Sequence, residues 1–191
     1  MLIKWIKGFV NMQFILLLRG VNVGGKNRVP MSELKQYLTD ARFTNVRSHI
    51  NSGNLIVESE EDTEQDVLEK CKKILADNFS FPVDVAIISD EKYQKELADV
   101  PTWWGEDEDY RHNALFLLPS TDKKEIAELL SAIDTTYEKI YIGEHAIFWS
   151  SSFKQNYSKT YYSKLAGQPF YKKVTIRNRN TTLKLLKLLE N

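Results

Sequence analysis

The residues best suited to chemistry sit in one loop. Positions 19–27 read RGVNVGGKN, so Arg19, Asn22, Lys26 and Asn27 are interleaved with Gly20, Gly24 and Gly25. Glycines let backbone N–H groups turn outward, and the two cations bias the local field toward anions. Asparagine amides offer both donors and acceptors, which suits a polar ligand better than a bare phosphate. The spacing Gly20-x-x-x-x-Gly25-Lys26 also matches the opening of a phosphate-binding P-loop, and it follows an apolar run as that motif requires. The next position is Asn27, where Ser or Thr would bind magnesium. Asn27, Arg28 and Val29 then intervene before Pro30, so no helix N-terminus faces the loop. The apolar run 85–88 ends near Asp90 like a metal-carboxylate strand, as many strands do. An anion or polar-ligand loop therefore competes with a structural loop whose asparagines bond backbone, and both outrank a nucleoside triphosphatase.

Two further stretches have related chemistry. Asn51, Ser52, Gly53 and Asn54 form a polar turn, with Arg47 and His49 at its root. Arg177, Asn178, Arg179, Asn180 and Thr181 join an apolar strand to a Leu-rich helix, where free N–H groups favour anions. Plain capping by Asn180 with surface arginines is the competing reading.

Other reactive residue types are read as structural. Cys71 shares a helix face with Val67, Leu68, Ile74 and Leu75, which makes it a small core residue rather than a nucleophile. His112 and His145 have no Cys or His at ligand spacing, so no structural zinc is expected. Glu106, Asp107, Glu108 and Asp109 are consecutive and cannot easily converge on a cation. Trp103 and Trp104 are expected to pack rather than to stack a base. Ser150, Ser151 and Ser152 lack a nucleophile elbow. Lys159, Tyr161, Tyr162 and Lys164 make a basic aromatic patch that single-stranded nucleic acid could use.

The elements that must position these residues follow from periodicity. Strands are expected at 14–18, 46–50, 55–57 and 83–88, and helices from Pro30 over 31–41, over 62–79, and after a Ser89 or Asp90 cap through 97. The pattern recurs about 90–100 residues later, as an internal duplication would. It gives strands at 114–118, 139–142, 146–149 and 173–176, and helices at 122–132, 158–165 and 181–189. The expected fold is α+β, two tandem ferredoxin-like β-α-β-β-α-β-α units with antiparallel or mixed sheets. The units are placed at 12–100 and 101–191, joined near 101–110. In that topology the first loop and the 51–54 hairpin share one sheet edge, so they should meet.

The segments LRGVNVGGKN at 18–27, INSGN at 50–54 and KVTIRNRNT at 173–181 resemble the signatures of a bacterial family known as domain of unknown function 1697. The resemblance runs from Met12 to the C-terminus. It implies two ferredoxin-like units and carries over no activity or catalytic residue.

Composition excludes other classes. Lys plus Arg and Asp plus Glu are both 26 in 191 residues, so the cation excess of a non-specific nucleic-acid binder is absent. A single cysteine excludes an internal disulfide and fits the cytoplasm. In the N-terminal stretch 1–11, Lys4 and Lys7 interrupt any signal-peptide core, and no later run approaches a membrane span. That stretch reads as an extension ahead of Met12 or a short amphipathic turn. No cofactor or metal is implied. The leading reading is a binding module for a small anionic or polar, nucleotide-like ligand at the first loop. An enzyme using the same loop and a protein-interaction module are the alternatives.

Overall fold

The computed structural model describes residues 11–60 and 63–190. The first unit contains β1 (Met12–Leu18), α1 (Met31–Asp40), β2 (Thr44–Ser48), β3 (Asn54–Ser59), α2 (Glu64–Asn78), β4 (Val85–Ser89) and α3 (Asp90–Ala98). The second contains β5 (Tyr110–Leu117), α4 (Lys123–Ser131), β6 (Glu138–Ile142), β7 (Ala146–Ser152), β8 (Val174–Asn178) and α5 (Arg179–Leu189). Their sheets run β2-β3-β1-β4 and β6-β7-β5-β8, with every neighbouring pair antiparallel. The fold is therefore α+β, two tandem ferredoxin-like units. Residues 1–10, most of the expected N-terminal extension, and Asp62, the expected start of the second helix, lie outside the described residues.

The strand β1 is wholly apolar because both of its faces are covered. Phe14, Leu16 and Leu18 join the cluster under α1 and α2, which also holds Cys71, buried as expected. Ile15 and Leu17 face a second cluster shared with Ala114, Phe116, Ala146 and Phe148 of the other sheet. Tyr93 of α3, Trp104 of the joint and Leu185 of α5 complete that cluster. Trp104 lies edge-on to Phe148 at 5.0 Å, so this tryptophan packs between the units. A third cluster, around Trp149, packs the second sheet against α4.

Two expectations about elements are corrected. The helix expected at 158–165 is replaced by three 3₁₀ turns, Tyr157–Lys159, Tyr162–Gly167 and Pro169–Lys173. The N–H of Tyr162, which an α-helix would direct to residue 158, donates instead to the Glu138 carboxylate at 2.8 Å, as does that of Tyr161 at 2.6 Å. Gly167 and Pro169 then prevent a longer helix. The cap of α5 is Asn178 rather than Asn180: its side chain accepts from the Thr181 N–H at 2.8 Å. Among the described residues no helix is long and apolar enough to cross a membrane.

Candidate functional site

The first loop leaves β1 and is pinned by its apolar members. Val21 and Val29 are buried in the core of the first unit, whereas 23–28 are exposed. Gly24 and Gly25 both have positive φ, +59° and +74°, and the Lys26 N–H donates to the Val23 carbonyl at 3.1 Å. Positive φ at both central residues is the pattern of a type I′ turn, which glycine accepts without strain. The stretch that resembles a P-loop is thus the tip of a miniature hairpin projecting into solvent, not a cradle ahead of a helix.

The loop and the 51–54 turn meet. Asn22 Nδ2 donates to the Asn51 carbonyl at 2.7 Å and to the Val29 carbonyl at 2.8 Å, while its Oδ1 accepts from the Val29 N–H at 2.8 Å. Asn27 Nδ2 donates to the Gly20 carbonyl at 3.2 Å. Asn54 is fully buried and donates to the His49 carbonyl at 3.1 Å and to Ser52 Oγ at 2.9 Å. Asn22 holds the loops to each other while Asn27 and Asn54 brace their own, so these amides frame the edge rather than face a ligand.

The third segment reaches the same edge through one side chain. The guanidinium of Arg177, 6% exposed, donates to Asn54 Oδ1 and to the carbonyls of Leu18 at 2.8 Å, Ser52 at 3.2 Å and Gly53 at 3.1 Å. It also donates to Thr175 Oγ1 at 2.9 Å and the Ile176 carbonyl at 2.8 Å, which leaves every N–H engaged. Burial pushes its pKa down to about 10, and the group stays cationic at neutral pH. Arg19 plays a parallel role nearer the surface, donating to the carbonyls of Val174 at 3.0 Å and Tyr171 at 3.3 Å with its guanidinium over the Tyr171 ring. Beyond Arg177 the chain turns to the joint between units. Arg179 donates to the Trp104 carbonyl at 3.0 Å and Tyr93 to the Thr182 carbonyl at 2.9 Å. Asn178, Asn180 and Thr181 therefore stand at the start of α5 and have no described hydrogen bond to the loops.

At the surface of this edge, Lys26, Arg28 and Lys172 are exposed, and their side chains have no described partner. The converging segments 19–30, 45–54 and 168–181 hold eight Lys and Arg and no Asp or Glu, although the whole chain balances 26 against 26. Of these eight, Arg177 is buried, Lys173 is paired with Glu125 at 2.5 Å and Arg179 reaches the joint, while the Asp84 carbonyl accepts from the Arg19 N–H at 2.8 Å. Lys26, Arg28 and Lys172 are the cations the edge presents to solvent.

Other residues are placed as follows. Tyr161 stacks on Trp149 at 6.1 Å and Tyr162 lies edge-on to it at 5.7 Å, so the aromatic patch packs on itself instead of presenting faces to bases. His112 contacts Ser150 Oγ at 2.6 Å and the Asp107 carbonyl at 2.8 Å. Among the described residues no cluster of His, Cys, Asp or Glu could hold a metal. Concavities of about 450 and 400 Å³ open elsewhere and share Lys123, Glu144 and His145.

One residue gave no signal in sequence. Glu96, 5% exposed, belongs to α3, and its carboxylate accepts the N–H groups of Glu144 at 3.1 Å, His145 at 3.1 Å and Ala146 at 3.0 Å. In sequence it is one carboxylate among the charges of a short helix, with Lys92 and Lys95 nearby.

A duplicated ferredoxin-like body with one cationic loop edge is the class these features define. Residues 12–148 match the family described as Protein of unknown function (DUF1697), and the chain belongs to that family. Its structure is similar to that of the conserved bacterial protein SP0830 from Streptococcus pneumoniae. The TM-score is 0.88 and the identity 35%, over 95% of this chain and 100% of that one. No curated protein matches the chain.

Proposed function

We propose that the protein is a cytoplasmic binding module whose cationic loop edge takes an anionic or polar ligand, nucleotide-like anions included. The observation that carries this reading is that Lys26, Arg28 and Lys172 stand exposed with no described partner, in segments that hold no Asp or Glu. Clustered cations raise the local concentration of anions, and the effect weakens as salt screens it. The hydrogen-bonded frame of Asn22 with the buried Asn54 and Arg177 supports it further, because a rigid frame lowers the ordering cost of binding. Lys26, Arg28 and Lys172 are the residues left to contact the ligand.

A thermal-shift panel at low salt tests this reading with pyrophosphate, nucleotides, phosphosugars, short oligonucleotides and oligoglutamate, since a ligand of the native state raises its melting point. At least one anion is expected to stabilise the protein. The double variant Lys26→Ala/Arg28→Ala should weaken that anion by about 1–3 kcal/mol per charge-assisted contact. It should leave the unliganded stability within about 0.5 kcal/mol. A flat panel, or full affinity in the double variant, overturns the reading.

A further inference from the structure

Two of the three large apolar side chains exposed among the described residues stand on this same edge. Val23 is 65% exposed and Ile50 54%; the third, Phe153, is covered by the Arg111 guanidinium at 3.3 Å. Val23 and Ile50 are the residues next to Asn22 and Asn51, whose 2.7 Å hydrogen bond ties the two loops together. Neither side chain contributes to the core. Ile50 moreover has φ +50°, a left-handed conformation that strains a β-branched residue and that Asn or Gly would accept. The fold alone gives no reason for isoleucine there. We propose that Val23 and Ile50 form the apolar centre of a docking surface for an acidic protein segment carrying an aliphatic or aromatic anchor.

This inference rests on the reading of the edge as anion-attracting, and it names the ligand. Lys26, Arg28 and His49 belong to the same two segments as the pair, and 19–30 and 45–54 contain no acid. A small anion has no use for two aliphatic side chains. A nucleic-acid strand needs aromatic faces to stack on, and the ring of Tyr171 lies under Arg19. An apolar anchor ringed by charge is the usual build of a protein-recognition patch, and complementary charge steers the encounter.

The test pans a displayed library of random peptides, about 12 residues long, on the full chain, with counter-selection on Val23→Ser/Ile50→Asn. Asparagine suits the left-handed backbone at 50, and thermal unfolding of the variant verifies its fold. Enriched peptides should carry Asp or Glu around Leu, Ile, Phe or Trp. They should bind the double variant about tenfold or more weakly, and Lys26→Ala/Arg28→Ala weakly as well. A pool without that pattern, or one that binds Val23→Ser/Ile50→Asn equally, overturns the proposal. Peptides that depend on Lys26 and Arg28 alone sink the docking surface and leave the anion-attracting edge standing. Peptides that depend on neither pair sink both.

Discussion

Arg177 carries a charge inside the protein with no carboxylate beside it, and only neutral oxygens compensate it. Arg177→Met would remove the charge and strand Asn54 Oδ1 and the Ser52 carbonyl, whereas the carbonyls of Leu18 and Gly53 keep Thr175 Oγ1 and the Leu18 N–H as donors. Each orphaned acceptor costs about 1–3 kcal/mol, so a loss of about 3 kcal/mol or more is expected in urea unfolding. That contrasts with the near-neutral Lys26→Ala/Arg28→Ala double variant and separates frame from surface. Tyr93 gives a second test at this scale. Burial raises its pKa well above the ordinary 10.0, against the opposing pull of Arg177. The native state therefore keeps this proton where the unfolded chain loses it. Stability should be level up to about pH 10 and fall above it, by up to about 1.4 kcal/mol per pH unit for each such group. Tyr162, shifted upward by burial as well, adds to the fall, while Arg177, pushed down to about 10, releases its proton earlier in the native state and opposes part of it. Tyr93→Phe should cost about 1 kcal/mol at neutral pH through the lost bond to Thr182. It should also flatten the alkaline slope, and an unchanged slope would show that Tyr93 does not set it. The sequence marked Arg177 as polar chemistry at a strand end. It could not show that the partners are backbone oxygens more than 120 positions away.

Between elements, the turns decide what the strands can present. Gly53 has φ +74°, and a Cβ there would lie 2.6 Å from Leu18 Cβ and 2.8 Å from Val21 Cγ2. Gly24 has φ +59° with open space around it. Gly53→Ala combines overpacking with backbone strain, so a loss of about 2–4 kcal/mol is expected by thermal or urea unfolding. Gly24→Ala adds only the backbone term, about 1 kcal/mol. Equal effects would contradict the close approach of the hairpin to β1. The meeting of these two loops was legible, because the crossover topology places both at one sheet edge. The miniature hairpin was not, since Gly-Gly serves a phosphate loop and a type I′ turn alike. Nor were the turns at 157–173, where aromatic spacing mimics a helical face. Long-range bonds from Glu138 to the Tyr161 and Tyr162 N–H groups decide the backbone there.

At the scale of the molecule, the two units hold each other by reciprocal clamps. Arg177 of β8 fixes the β2–β3 turn of the first unit, and Glu96 of α3 fixes the β6–β7 turn of the second. Arg47 of β2 donates to the Leu188 carbonyl near the end of α5 at 2.7 Å, where a cation also complements the helix dipole. Tyr93 of α3 crosses in the same direction, stacked on Phe116 of β5 at 5.7 Å. Between these contacts lies the shared cluster, in which Ile15, Leu17 and Ile88 of one sheet meet the side of the molecule formed by Ala114, Phe116 and Phe148 of the other. Separation would expose those apolar faces and strand two buried ions at once, so the units should unfold together despite their independent sheets. Cys71 reports on the first unit, because its burial against α1 and the first sheet makes labelling by a thiol reagent require unfolding. Trp149, in the second unit's own cluster, reports on the second through near-ultraviolet circular dichroism. The urea midpoints of Cys71 labelling and of the aromatic signal should coincide, and Glu96→Ala should lower both together. Cys71 labelling that precedes loss of the aromatic signal, at the rate seen in denaturant, would mean that the first unit opens alone and that the clamps do not couple the two.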